Sequence, residues 1–411
     1  MIQEIIEQHA SEAGFLWNLR DAAARDPHYL LSDVLRLDER VEGHLDGLRL
    51  AGAEGWAICA AALEEEDLAG EVFVAAAIAI DRGDLKGIAR VLDVCERAPD
   101  LQRGVASALG WLPFGAIQRI LPGLLHPDCP PPLHWMGIAA CSSHRQDPGP
   151  ALRYALYSDD LRLRARALQS VGELARADLS PEVRSRPGGD DESCRFWAAW
   201  TLWMFGAHEA TEVLVDLARG GGRHTNEAAV LAVRRLGAQD ARALIETLAA
   251  RPETARAAVV AGGALGSPTL VPWLLSCMEI PEMARLAGES FTLITGADLA
   301  VERLSCKAPE GFRSGPSEDE ADPRVALDPD ENLPWPEITK TGAWWGKNRG
   351  RFSQERYLVG QPITSPWAQQ VLRQGYQRQR AAASLELAIA SPGQPYFDVC
   401  APGSQQRRLL G

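Results

Sequence analysis

Four consecutive segments of the chain place apolar residues at the spacing of an amphipathic helix and then stop at a glycine. They read DESCRFWAAWTLWMFG, RHTNEAAVLAVRRLG, PETARAAVVAGGALG and PEMARLAGESFTLITG, and they end at Gly206, Gly237, Gly266 and Gly296, so that the glycines are 31, 29 and 30 residues apart. Each segment has a helix-start signal, about 12 alanine-rich residues and a glycine suited to the left-handed turn that ends a helix. The pattern therefore predicts one helix per segment.

Weaker copies of this pattern lie upstream. DDLRLRARALQSVG ends at Gly172, and LQRGVASALG ends at Gly110, which is 62 residues, or two repeat lengths, earlier. The intermediate copy would be PPLHWMGIAACSSH, at residues 131–144. Shorter apolar segments such as TEVLVDLARG and ARALIETLAAR lie between the copies, so the predicted unit is helix, turn, helix. A pair of this kind cannot bury an apolar face alone, whereas a stack of pairs buries a continuous core.

An acidic residue stands three positions before an arginine at the start of several predicted second helices. The pairs are Asp159/Arg162, Glu192/Arg195, Glu253/Arg256 and Glu282/Arg285. The acid lies where the helix dipole favours negative charge, and the arginine follows on the same face one turn later. We interpret the pairs as a structural ladder that forms when the repeats stack. A single surface pair contributes only about 0.3–0.5 kcal/mol, so the pairs matter only as a network.

The repeat length, the acid-x-x-Arg signature and the terminal glycine resemble the short HEAT-like repeats first associated with phycobilin lyases. The resemblance covers residues 51–298. It implies an all-α fold, an α-solenoid whose second helices line a concave groove. Two copies depart from the pattern, since the copy ending at Gly237 has Asn226 in place of the arginine and the copy at residues 131–144 lacks the pair.

The regions that flank the repeats give a prediction of four parts. Residues 1–50 are expected to form a helical cap, 51–298 the solenoid, 299–338 an acidic Pro-rich linker and 339–411 a basic C-terminal helical segment. Within the linker, residues 308–332 carry eight acids against two arginines, with four prolines and almost no apolar period, which is typical of a solvated segment. SPWAQQVLRQG and YQRQRAAASLELAIASPG then predict a last helix pair, either a terminal cap or one more repeat.

The flanking regions carry a narrower resemblance. HLDGLRLAGAEGW, RYLVGQPIT and QRQRAAASLELA occur in this order around the repeats. They resemble a family of bacterial HEAT-like proteins that are commonly encoded beside type VI secretion effector components. That family has no established catalytic residues to carry over, so the resemblance implies a setting more than a mechanism.

Charge and composition limit the classes of partner. The net charge is −13, and residues 339–411 hold ten Lys/Arg against three Asp/Glu, so residues 1–338 carry −20. Because binding to phosphate backbones needs basic surface, we expect no nucleic acid partner for the body of the protein, and a DNA or RNA role would have to rest on residues 339–411 alone. The N-terminus lacks the pattern of a cleaved signal, and no apolar run approaches the roughly 18 residues that a membrane span needs. Eight widely spaced cysteines fit a reducing cytoplasm.

One group of residues has the types and the close spacing of metal ligands: His126, Cys129, His134, Cys141 and His144. On a helix His134 and Cys141 would lie about 10 Å apart along the axis, whereas zinc ligands lie within about 2.3 Å of one ion. Cys141 and His144 could still contribute two ligands. The sequence contains no G-x-S-x-G, H-E-x-x-H, P-loop or Rossmann motif, so we expect no catalytic, cofactor or metal residues.

Tryptophan and arginine supply the candidates for partner binding. Trp197, Trp200 and Trp203 recur every three residues and so stay on one side of a helix, where they form either core or an exposed ridge. Exposed Trp beside Arg is common in binding hot spots. The C-terminal region adds further candidates of the same two types: Trp344, Trp345, Arg349, Arg351, Arg378 and Arg380.

These observations favour a non-catalytic scaffold that holds another protein in the groove of a solenoid. Through the family resemblance, the specific expectation is an adaptor for a type VI secretion effector or its carrier. Two alternatives stay open. An immunity protein that neutralises a cognate toxin would use the same fold. An enzyme of the bilin-lyase kind is implied by related repeats, although no pocket-forming cluster of cysteine, histidine or acid residues supports it.

Overall fold

A computed structural model describes residues 2–65, 68–185, 189, 191–316 and 327–411. These residues form 23 α-helices, four 3-10 turns and four two-residue strands, so the prediction of an all-α fold is confirmed. The chain divides into two compact units. Unit 1 comprises Met1–Gly206 and Ser391–Gly411, and unit 2 comprises Ala207–Ala390.

Unit 1 consists of helices joined by short turns. Their bounds are α1 Gln3–Ala23, α2 Leu31–Ala51, α3 Ala53–Glu65, α4 Ala69–Asp81, α5 Leu85–Arg97, α6 Gln102–Trp111, α7 Phe114–Ile117, α8 Leu121–Leu124, α9 Pro131–Ser143, α10 Pro150–Leu156, α11 Leu161–Glu173, α12 Ser180–Ser185, α13 Glu192–Met204 and, from the C-terminal segment, α23 Gly403–Leu410. Short 3-10 turns lie at Pro99–Leu101 and Ala177–Leu179.

Unit 2 adds nine helices and two small hairpins. The helices are α14 Glu209–Gly220, α15 Thr225–Arg235, α16 Ala238–Ala249, α17 Pro252–Leu265, α18 Val271–Cys277, α19 Pro281–Thr295, α20 Ile338–Asn348, α21 Ser365–Gln374 and α22 Gln377–Ala390, with 3-10 turns at Pro268–Leu270 and Arg349–Arg351. Strand β1 (Ser305–Cys306) pairs with β2 (Trp335–Pro336), and β3 (Tyr357–Leu358) pairs with β4 (Gln361–Pro362), both antiparallel.

The second helix of each repeat packs on the second helix of the next. In unit 1 the contacts run from α4 through α6, α9 and α11 to α13, and in unit 2 from α15 through α17 to α19. Helix α9 fills the place of the intermediate copy at residues 131–144. Alanine makes this close stacking possible, and in α4 every residue from Val72 to Ile80 is buried. One apolar core cluster extends from Ile6 to Cys141 in unit 1, and another extends from Val259 to Tyr357 in unit 2.

The repeat glycines end their helices in two ways. Gly206, Gly266 and Gly296 have φ of +79°, +74° and +72°, the left-handed region that glycine adopts without strain. Gly237 differs, since its φ is −60° and it precedes α16 as the N-cap. Helix α15 has already stopped there, because Leu236 is extended.

The region 299–338 differs from a solvated linker where the structure describes it. Leu299, Leu304 and Leu333 are buried in unit 2, and the pairing of β1 with β2 holds the two ends of the segment together. These leucines bury apolar surface, and Arg256 and Arg285 neutralise two acidic residues of the segment. Residues 317–326 of the expected linker lie outside the described part of the chain.

The expected C-terminal segment, residues 339–411, is divided between the units. Helices α20, α21 and α22 belong to unit 2, whereas residues 391–411 belong to unit 1, where α23 packs on α2. Among the described helices, none combines the length and the apolar character that crossing a bilayer requires.

Candidate binding site

Two arginines lie in equivalent positions at the starts of α17 and α19. Arg256 and Arg285 are each the fifth residue of a helix that begins with proline, a residue suited to the first helical turn. Since α17 packs beside α19, both arginines lie at the N-terminal ends of two neighbouring helices. A non-helical segment, Asp328–Asp330, crosses these ends and binds both.

Arg256 holds Asp330 through two parallel hydrogen bonds. Its Nη1 and Nη2 donate to the carboxylate oxygens of Asp330 at 2.7 and 2.6 Å. Bidentate, charge-assisted hydrogen bonds of this kind are about twice as strong as those between neutral groups. Asp330 is only 3% exposed, and the hydrogen bonds that its carboxylate accepts from Arg256 raise the pKa of Arg256. The carboxylate of this pair is buried, whereas the Arg256 side chain is 32% exposed.

Arg285 binds the same segment by a mixed set of contacts. Its Nη2 donates to Asp328 Oδ2 at 2.6 Å, and its Nη1 donates to the backbone carbonyl of Asp330 at 2.9 Å. The guanidinium carbon lies 4.7 Å from the ring centre of Trp335 and 5.4 Å from that of Phe312. Contacts of a cation with aromatic faces contribute about 0.5–2 kcal/mol when desolvated. Arg285 is thus in contact with a carboxylate, a main-chain carbonyl and two aromatic rings.

One donor of Arg285 stays unsatisfied. Its Nε is buried and, within the described residues, has no hydrogen-bond acceptor. A buried donor left without a partner costs about 1–3 kcal/mol. The segment Asp328–Asp330 therefore fits Arg285 less completely than it fits Arg256.

The bound segment forms a turn that its own hydrogen bonds stabilise. Asp328 Oδ1 accepts a hydrogen bond from the backbone N–H of Asp330 at 2.9 Å, and its carbonyl accepts from the N–H of Glu331 at 3.2 Å. Burial alone would raise the pKa of Asp328, but the hydrogen bonds from Arg285 and from the Asp330 N–H hold it below its ordinary value. Asp328 is therefore a carboxylate at neutral pH.

A cavity of about 590 Å³ adjoins the two arginines. Its walls include Glu282, Phe312, Arg313 and Asp328 together with Arg256 and Arg285. The volume is within the range of sites that hold small ligands or several side chains of a peptide. Charged groups of both signs line it, so the site is polar in character.

A second non-helical segment crosses the opposite ends of α17 and α19. The N–H of Tyr357 donates to the carbonyl of Gly266 at 2.8 Å, and the N–H of Val359 donates to that of Leu293 at 2.6 Å. A Cβ on Gly266 would lie 2.3 Å from the Tyr357 carbonyl oxygen, so only glycine admits this approach. The motif RYLVGQPIT is this crossing segment, and it satisfies carbonyl groups that a helix end leaves unpaired.

Unit 1 has a comparable crossing made by its C-terminal segment. Arg20 is buried, and its Nε donates to Asp38 Oδ1 while Nη1 and Nη2 donate to the carbonyls of Cys400 and Ala401, all at 2.7 Å. The other oxygen of Asp38 accepts from the N–H of Gly403 at 2.6 Å. Burial raises the pKa of Asp38, and the contact with Arg20 offsets part of this rise. The contacts fix residues 400–403 on α1 and α2.

The predicted ladder has different partners from those expected. In the last two repeats Glu253 pairs with Arg251 at 2.6 Å, and Glu282 is exposed beside the cavity, while Arg256 and Arg285 bind the acidic segment. In unit 1 Asp159 and Arg162 are exposed, and the neighbouring Asp160 caps α11 instead. Glu192 and Arg195 are half-buried on α13.

The tryptophans of α13 contribute mainly to the core. Trp203 is completely buried, and Trp200 is 6% exposed, with Tyr396 of the C-terminal segment packed edge-on at 5.6 Å. Trp197 is half-buried and packs against Trp200 at 5.5 Å. Of the three, Trp197 keeps the most surface for contact with a partner.

The C-terminal candidates for partner binding likewise range from exposed to fully buried. Trp344 and Trp345 are half-buried on unit 2, where Trp344 packs against Phe291, and Arg349 and Arg351 are exposed. Arg378 forms an ion pair with Glu289 at 2.8 Å. Arg380 is fully buried and donates to the Leu372 carbonyl at 2.7 Å and to Gln377, so it has a structural role in the pairing of α21 with α22.

The five residues considered as metal ligands stay apart. His144 Nε2 contacts the Leu109 carbonyl at 2.7 Å, His134 is buried in α9, and His126 lies next to Asp128. Burial raises the pKa of the Cys141 thiol to about 11 and that of Cys129 to about 11. Across the described ranges, no three His, Cys, Asp or Glu side chains are grouped so that they could hold an ion.

The sequence singled out Arg256 and Arg285 only as members of a structural ladder, and it gave no prediction for Asp328, Asp330 or Phe312. The only signal was complementarity of charge, because the acidic run DPDEN follows repeats that carry arginine at a fixed position. Comparison of the chain with protein-family models gives no match, and neither does comparison with curated proteins.

Proposed function

We propose that this protein is a non-catalytic, protein-binding scaffold, and that the arginine-bearing end of α17 and α19 receives a segment of another protein. The observation that carries the proposal is the pair Arg256 and Arg285. They bind a non-helical chain segment through carboxylates, a main-chain carbonyl and aromatic contacts. These are the contact types, and arginine and tryptophan the residue types, that are enriched at protein interfaces.

The wider setting that we propose is that of an adaptor for a type VI secretion effector or its carrier. The support is the resemblance of HLDGLRLAGAEGW, RYLVGQPIT and QRQRAAASLELA to bacterial HEAT-like proteins encoded beside such effectors. These motifs have defined places in the fold, since RYLVGQPIT crosses α17 and α19 and QRQRAAASLELA forms α22. An adaptor would hold its client without chemistry.

Site-specific photocrosslinking in the native host tests the proposal. A photoreactive residue at Glu282, which is exposed beside the cavity, is compared with the same residue at Glu246, which is exposed on α16. We expect one protein to be crosslinked from position 282 and not from position 246, and we expect it to be a secretion effector or its carrier. Equal labelling from both positions, or recovery of general chaperones alone, would contradict a specific binding site here.

A further inference from the structure

The chemistry of the segment already bound at Arg256 and Arg285 indicates what these arginines select. Two carboxylates, two residues apart on a tight turn, reach one guanidinium each, and the carbonyl of the second residue bridges back to Arg285. We propose that the partner segment is an acidic peptide with the same spacing of carboxylates, and that the chain's own Asp328-Pro329-Asp330 turn occupies this place in the free protein. The inference rests on the proposed function and specifies its ligand.

Recognition at this place depends on geometry as well as charge. Arg256 uses its planar fork for both oxygens of one carboxylate. Lysine offers only a point charge and cannot reproduce that fork. A partner with a single isolated acid would satisfy one arginine and leave the other, whereas an acid-x-acid motif satisfies both.

The Asp328–Asp330 turn does not use every hydrogen-bond donor of Arg285. Asp328 meets Arg285 through Nη2 alone, and the buried Nε of Arg285 has no acceptor within the described residues. A carboxylate that approached Arg285 side-on would accept from Nε and Nη2 together, which is the favoured bidentate arrangement. The adjoining cavity of about 590 Å³ provides space for such a side chain and its neighbours.

Peptide binding to the full-length protein tests this inference. The probe is a fluorescein-labelled peptide with the sequence of residues 327–335, LDPDENLPW, and the matched control is LNPNENLPW. The two are titrated into the wild type and into the D328N/D330N variant. Because self-occupancy lowers apparent affinity by the fraction of competent sites, we expect the variant to bind the acidic peptide at least about tenfold more tightly than the wild type.

Further variants separate charge from fork geometry. We expect R256K/R285K, built on the D328N/D330N background, to lose the increase in affinity for the acidic peptide although both positive charges remain. We expect the LNPNENLPW control to bind weakly to every variant. If the double variant does not fold by circular dichroism, D328N alone serves, since it removes the carboxylate bound to Arg285 and leaves the Arg256–Asp330 pair intact.

Equal affinity of the wild type and the folded variant for the acidic peptide would overturn the inference, as would equal binding of the acidic and amide peptides. These outcomes are independent of the crosslinking result. A partner captured at position 282 together with no peptide binding would keep the scaffold function and reject the acidic ligand. Peptide binding without a captured partner would reject the proposed function alone.

Discussion

Arg20 in unit 1 and Arg285 in unit 2 both bind a crossing segment, but they differ in how many of their hydrogen-bond donors have acceptors. Each is a buried arginine on a helix that fixes a non-helical segment from outside the repeats. Each binds a carboxylate, and Arg20 also binds two main-chain carbonyls where Arg285 binds one. Arg20 Nε, Nη1 and Nη2 all have acceptors at 2.7 Å. Arg285 has acceptors for Nη1 and Nη2 but none for Nε among the described residues.

This difference indicates which crossing is permanent. The carboxylate at Arg20 comes from Asp38 on α2, so it belongs to the folded core and also anchors the N–H of Gly403. The carboxylate at Arg285 comes from the crossing segment itself and can leave with it. Unit 2 also has its second crossing at Tyr357 and Val359, which does not depend on Arg285. We therefore expect unit 1 to need its crossing for stability and unit 2 to tolerate the release of Asp328–Asp330.

The largest effect should come from Arg20→Ala. Removal of one partner of a buried ion pair costs about 3–5 kcal/mol, because the Asp38 carboxylate stays buried without its cationic partner. Arg285→Ala should cost less, about 1–3 kcal/mol, since its partners lie beside a cavity and can be hydrated. Urea denaturation followed by circular dichroism measures both.

Arg36→Ala is the control, because Arg36 is exposed and pairs with Asp33 on the surface. It should change the free energy of unfolding by no more than about 1 kcal/mol. An Arg20→Ala variant as stable as Arg36→Ala, or less affected than Arg285→Ala, would remove the proposed distinction between the two crossings.

An intermediate effect is expected from Gly266→Ala, which tests the second crossing of unit 2. Alanine at φ +74° costs about 1–2 kcal/mol of backbone strain, and its Cβ would meet the Tyr357 carbonyl oxygen, which adds a further loss of about 1–3 kcal/mol. Gly221→Ala is the matched control, since its φ is +72° and the nearest atom to its Cβ is a flexible Glu253 side chain at 3.4 Å. Equal thermal stability of the two variants would show that the crossing does not contribute.

The sequence predicted the parts of the fold that depend on local periodicity. The segments that end at Gly206, Gly266 and Gly296 are α13, α17 and α19, with the left-handed glycine at the expected place. Local rules could place these elements because apolar spacing and helix ends are properties of neighbouring residues. They could not show that the glycines at 266 and 296 also admit a crossing chain.

The partners of the arginines were beyond such rules. Arg256 and Asp330 are 74 residues apart, and the segment that carries Asp330 has no periodic pattern. Its acidic composition is typical of a solvated linker, and the prediction for residues 299–338 followed that composition. Neutralisation by Arg256 and Arg285 removes the main reason for solvation, and Leu333 adds apolar burial.

The smallest and most specific effect concerns the charge of Asp328. Its pKa in the folded protein is lowered, so the ionised carboxylate contributes stability above its unfolded value of about 3.9 and loses it as pH falls through the lower folded value. Asp328→Asn should therefore lower the free energy of unfolding by about 1–2 kcal/mol at neutral pH. The difference from the wild type should be constant between about pH 5 and 8 and should shrink below about pH 4.

Urea denaturation at several pH values gives this difference directly, with Asp216→Asn, an exposed substitution on α14, as the matched control. A difference that changes between about pH 5 and 8 would mean that the pKa of Asp328 is raised, contrary to its contact with Arg285. No difference in the free energy of unfolding at neutral pH would mean that Asp328 does not help to bind the segment. The crossing at Arg285 would then be even weaker relative to the crossing at Arg20. The pH profile thus measures how firmly the internal segment is bound, and that strength is what an acidic partner would have to exceed.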